Sequence, residues 1–123
     1  MKTFTLEEAN ALVPEIDQLL TEMKAVRGKI VAMGASLKPL LEHAGGNGGN
    51  KAGGEYMLLL QRFNASLSFF RDLGCELKDL EQGLVDFPSY REGKLIYLCW
   101  KQGEERIGFW HDPEAGFAGR QPL

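Results

Sequence analysis

Apolar residues in the first third of the chain recur at alternating three- and four-residue steps: Ile16, Leu19, Met23, Val26, Ile30, Met33, Leu37 and Leu40. That spacing lines them up along one seam of a helix and fits a coiled-coil heptad better than a broad amphipathic face. A helix from about Pro14 to His43 would reach ~45 Å at about 1.5 Å per residue, with Gly28, Gly34 and Pro39 weakening or bending it. Ahead of the seam, Thr5-Leu6-Glu7-Glu8 reads as a capping box. The Thr5 hydroxyl accepts from the backbone N–H of Glu8 and the Glu8 carboxylate reaches back to Thr5, so a helix starts here. Pro14 cannot donate to the carbonyl of Asn10, which predicts a short helix followed by a long one.

The eleven residues Ala44 to Gly54 hold six glycines and two asparagines and nothing apolar beyond alanine, which predicts a flexible turn. A Gly-rich loop can cradle phosphate, but the Lys-Ser/Thr ending of a phosphate-binding loop is missing and no strand precedes it. From Glu55 the apolar spacing resumes at Tyr56, Leu60, Phe63, Leu67 and Phe70, with Gly74 placed to end the helix in a left-handed conformation. Two helices with matching seams and one connecting turn predict an antiparallel hairpin over residues 5–73. After Gly74 the pattern shortens to Glu76–Lys78, Leu84–Phe87, Lys94–Lys101 and Arg106–His111, separated by turn-forming segments. The expected fold is therefore α+β in one domain, residues 1–123: a long helical hairpin, then over 74–123 a small antiparallel meander of three main strands with a short fourth, and a C-terminal tail.

A length of 123 residues with 44% hydrophobic content suits a single domain that buries a modest core without disulfide staples. The net charge of -3, with Lys and Arg scattered rather than clustered, gives no footprint for nucleic acid or an anionic membrane. No basic, apolar leader opens the chain and no apolar run nears the ~20 residues that span a bilayer, so the expected location is cytoplasmic. Cys75 and Cys99 are too few and too far apart for a disulfide framework or a zinc knuckle, and are expected to be free structural thiols.

Candidate chemistry gathers in the last third. With strand alternation, Ile107, Phe109 and His111 share one face, and Asp86 shares a face with Leu84. A single sheet face then presents His111 near Asp86, if the strand register permits. Neutral imidazole and ionised carboxylates are ligands for zinc, manganese or iron, and a set of two carboxylates and one histidine leaves a coordination position open. Glu76 and Asp79, at the exit of the second helix, are the further carboxylates. The competing reading of Asp86 and His111 is a structural hydrogen-bonded pair. His43, beside the Gly-rich turn, is expected in solvent, and Trp100 and Trp110 are expected to pack the sheet onto the helices. No serine lies in a nucleophile elbow and neither cysteine has a histidine at a recognisable spacing.

The segment Gly74-Cys75-Glu76-Leu77-Lys78-Asp79-Leu80-Glu81-Gln82-Gly83-Leu84-Val85-Asp86-Phe87-Pro88, then Leu98-Cys99-Trp100 and Phe109-Trp110-His111-Asp112, and the ending Ala115 to Leu123, closely resemble the bacterial domain of unknown function 2203 family. The opening Phe4-Thr5-Leu6-Glu7-Glu8-Ala9-Asn10 is similar to that family's start. Some members are labelled division initiation proteins, and the family brings no established activity. Glu76, Lys78, Asp79, Asp86, His111 and Arg120 all fall inside the shared strings. The resemblance thereby strengthens a metal role for Glu76, Asp86 and His111, with Asp79 as a ligand or as the partner orienting the imidazole. Arg120 either anchors an anionic ligand or pins the C-terminal tail by a salt bridge.

The leading expectation is a small cytoplasmic metal-binding protein, a metal-dependent hydrolase or lyase acting on a small molecule. Its rival is an interaction module or dimeric regulator without metal, broadly like transcription-elongation factors that insert a helical hairpin into a larger machine. Such factors carry acidic residues at the hairpin tip, whereas only Glu42 and Glu55 flank the tip here. Tyr56 to Leu73 covers ~27 Å of the ~45 Å first helix, which leaves part of the seam for a second copy and predicts a homodimer through the helices.

Overall fold

The capping box forms as its residue types dictate. In a computed structural model of the chain, Thr5 N donates to Glu8 Oε1 at 2.8 Å and Glu8 N to Thr5 Oγ1 at 3.1 Å. The backbone is described for residues 1–43 and 51–123, and side chains for 1–36 and 53–123. From this cap, α1 (Leu6–His43) runs unbroken through Pro14. The expected pair of helices is therefore one helix. Pro14 is exposed while Ala9, Val13, Ile16, Leu20 and Met23 are buried on either side of it. Burial of that face holds the helix together across the missing hydrogen bond. Leu20 is fully buried and Leu19 only half-buried, so the seam against the core is broader than a heptad line.

The second helix, α2 (Lys51–Leu73), begins four residues earlier than its apolar pattern predicts, and so takes in the last residues of the Gly-rich stretch. Of the turn expected at 44–54, residues 44–50 lie outside the described residues. The helix returns along α1 with the Tyr56 hydroxyl against Gly34 and Phe70 in the core. It ends at Gly74, whose φ of 91° is left-handed and whose N–H donates back to Phe70 and Arg71 carbonyls.

Five strands follow in an antiparallel meander of sequential order: β1 (Glu76–Asp79), β2 (Leu84–Arg91), β3 (Lys94–Lys101), β4 (Phe109–His111) and β5 (Gln121–Pro122). The sheet has one strand more than expected, because the tail folds back and pairs Phe109 with Pro122 and Trp110 with Gln121. The β2–β3 hairpin closes through Glu92 (φ 52°) and Gly93 (φ 78°), a two-residue turn with both central residues left-handed. One sheet face, with Val85, Phe87, Ile96, Leu98 and Trp100, packs on α1. Phe4 joins it edge-on to Phe87 at 5.5 Å, and its N–H donates to the Pro88 carbonyl at 2.7 Å.

Ile107 departs from the alternation expected of it. Residues 106–108 lie outside β4, the Ile107 N–H donates to Asn10 Oδ1 of α1 at 2.8 Å, and its side chain is in the core between helix and sheet. Among the described residues, no helix is long and apolar enough to cross a membrane.

Candidate functional site

The sheet face turned away from the helices carries polar residues in register. Glu76 of β1 is opposite Asp86 of β2, Asp86 is opposite Cys99 of β3, and Cys99 is opposite Phe109 of β4, while Tyr97 faces His111. Asp86 and His111 thus flank the same strand, β3, and their side chains meet across it, with His111 Nε2 2.9 Å from Asp86 Oδ2. Both are buried, at 3% and 2% exposed. Tyr97 stacks on the imidazole at 5.6 Å between centroids.

The other imidazole nitrogen fixes the tautomer. His111 Nδ1 lies 2.8 Å from the carbonyl oxygen of Asp112, which only accepts, so Nδ1 carries the hydrogen. Nε2 then faces the Asp86 carboxylate across one shared proton, as an ion pair or as a neutral pair. A backbone carbonyl holding Nδ1–H is the second-nitrogen arrangement that orients a metal-ligating histidine, and Nε2 is the nitrogen that would bind once an ion displaces the shared proton.

Cys99 completes a set of three. Its Sγ, an Asp86 oxygen and a His111 nitrogen all lie within 4.8 Å of one another, and all three residues are buried. Burial, and then the charge of Asp86, push the Cys99 thiol up to about 12, with the charge of Arg120 pulling the other way. A thiol held protonated in this way is a poor nucleophile. It is not hydrogen-bonded to the imidazole either, whose two nitrogens are occupied by Asp86 and Asp112. A cation placed among the three donors would replace the shared proton and favour the thiolate, giving an N, S, O ligand set suited to zinc or iron.

The cluster floors a cleft of about 280 Å³ walled by Leu84, Tyr97, Pro113 and Phe117, with Glu76 and Lys78 also lining it. The Lys78 ammonium and a Glu76 carboxylate oxygen are 2.9 Å apart, and both side chains are about half exposed. The hydrogen bond that Lys78 donates to Glu76 raises the Lys78 pKa, and the charge of Asp86 acts in the same direction.

A family model described as Uncharacterized conserved protein (DUF2203) matches residues 2–123. The chain belongs to that family. No curated protein and no solved structure matches it.

Within this DUF2203 chain, the residues singled out from sequence fall into three groups. Asp86 and His111 are in direct contact, with Glu76 beside them on the cleft. Asp79 closes the β1–β2 turn, its carboxylate accepting from Gln82 N at 3.0 Å and Gln82 Nε2 at 3.3 Å. The carbonyl of Asp112, not Asp79, takes the orienting position on the imidazole. Arg120 donates to both Glu104 oxygens, at 2.7 and 3.0 Å, and to the Cys99 carbonyl at 3.1 Å, and lies 4.1 Å over the Phe109 ring. It ties the returning tail to β3 and to the loop after it.

Sequence reasoning took Cys99 for packing alone. A signal for it was present. Counting back equally from the two-residue turn Glu92-Gly93 brings Asp86 opposite Cys99 on one face, the register found.

Proposed function

We propose that this DUF2203 protein binds a divalent transition metal through Asp86, Cys99 and His111, and that the cleft above the three donors admits a small molecule. The observation that carries the reading is the convergence of buried nitrogen, sulfur and oxygen donors with the imidazole tautomer fixed for Nε2 ligation. Zinc or iron suits that set better than manganese, because thiolate is a soft ligand. Glu76, opposite Asp86 on the neighbouring strand and lining the same cleft, is the further carboxylate of the site. A bound ion of this kind polarises a substrate oxygen or acidifies a coordinated water, the chemistry used by metal-dependent hydrolases and lyases. The residues around it have matching roles in the proposal. Asp112 holds the ring, Tyr97 stacks on it, and Glu76 is placed to accept a proton at the cleft. A cytoplasmic location belongs to the same proposal, since Cys99 would act as a reduced thiol.

Elemental analysis of purified, untagged protein after dialysis tests it, alongside His111→Ala, Cys99→Ser and Glu76→Ala. The expected result is near-stoichiometric metal in the parent chain, lost in His111→Ala and weakened in Cys99→Ser. Stoichiometric metal retained by His111→Ala would sink the assignment.

A further inference from the structure

The lining of the cleft beyond the donor cluster is not neutral. Lys78 leans into the cleft from β1, and its ammonium has three donors, of which Glu76 takes one at 2.9 Å. The same cleft is lined by the aromatic rings of Tyr97 and Phe117 and by Leu84 and Pro113. Three protein ligands leave at least one position on a bound ion for an exogenous group. A metal held by the cluster would share one small cleft with an ammonium and with apolar side chains.

We infer that the cleft binds a small organic acid, its carboxylate shared between the metal and Lys78 and its apolar body held between Tyr97 and Phe117. The inference rests on the metal reading above and adds the class of ligand to it. A carboxylate has two oxygens, so one can face each cation, whereas a neutral amide or alcohol offers neither the charge nor the second acceptor. A cleft of about 280 Å³ accommodates a single aromatic or short aliphatic acid and not a polymer. Inorganic phosphate matches the charges but leaves the apolar walls uncovered.

The test uses the full chain loaded with cobalt(II), whose visible absorption reports its ligands. Benzoate, benzamide and inorganic phosphate are titrated separately. The expected outcome is that benzoate shifts the cobalt bands saturably and benzamide does not. Lys78→Met should keep the cobalt spectrum but bind benzoate about tenfold more weakly, as for loss of one charge-assisted contact, and Lys78→Arg should recover much of the affinity. Lys78 is half exposed, so neither substitution disturbs the core. Cobalt bands indifferent to benzoate, or equally sensitive to benzamide, would overturn the ligand class and leave the metal site standing. Phosphate binding as tightly as benzoate would overturn the organic body. If no cobalt spectrum develops, both readings fall.

Discussion

At the scale of single residues, the Asp86–His111 pair is a high-stakes contact because neither partner has water to fall back on. Each is nearly fully buried, and the two are bonded to each other at 2.9 Å. Removing either partner leaves the other desolvated and unpaired, which costs about 3 kcal/mol. In metal-free protein, Asp86→Ala and His111→Ala should therefore each lower urea stability by about 3 kcal/mol, and the double variant should lose much less than twice that. Additive losses would show that the two side chains do not act as a pair. Cys75 carries a different expectation. Burial raises its thiol from 9.0 to about 11. The folded-state value lies above the unfolded one, so the stability from keeping this thiol neutral is complete below about pH 9 and lost as pH rises to about 11. Urea midpoints measured across that range should fall for the parent chain and fall less for Cys75→Ala.

At the scale of elements, α1 shows which local rule yields to packing. Pro14 removes a backbone bond inside the helix, yet the continuous buried face from Ala9 to Met23 keeps the helix whole. Pro14→Ala restores the donor to Asn10 at an exposed position, and should raise stability by ~2 kcal/mol without changing the structure. A lowered urea midpoint would mean that the proline is needed for a bend. Strand β4 is the opposite case, in which a local pattern reads correctly over only part of its length. Alternation holds from Phe109 to His111, but Asn10 captures the Ile107 N–H and turns that residue into the core. Nothing in residues 106–108 themselves signals a hydrogen bond to a residue near the N-terminus of the chain.

At the scale of the molecule, the two ends of the helical hairpin differ. The half against the sheet supplies Val13, Ile16, Leu20, Met23 and Phe70 to the core, while the far half leaves Val31, Met57 and Leu58 more than half exposed. We propose that this far half pairs with a second copy of the chain. Light scattering should then give twice the 13.7 kDa chain mass, and Leu58→Glu should return it to a monomer. A monomeric parent chain removes the proposal.

The helical hairpin, its cap at Thr5, its Gly74 terminus and the β2–β3 hairpin were determined by the sequence itself. Each rests on contacts between near neighbours, whose periodicity and turn chemistry are written locally. That same local hairpin already aligned Asp86 with Cys99. Only the tertiary structure decided that His111 reaches them. A connection of seven residues, Gln102 to Gly108, separates β3 from β4, too long for its length to set a register. The pairing there is fixed by distant partners, with Asn10 holding Ile107 and Arg120 bonding Glu104 and the Cys99 carbonyl. Glu76 and Asp79 show the same division. Both are acidic residues of one short strand, but Glu76 lies opposite Asp86 on the cleft while the Asp79 carboxylate is taken by Gln82 in the turn that follows.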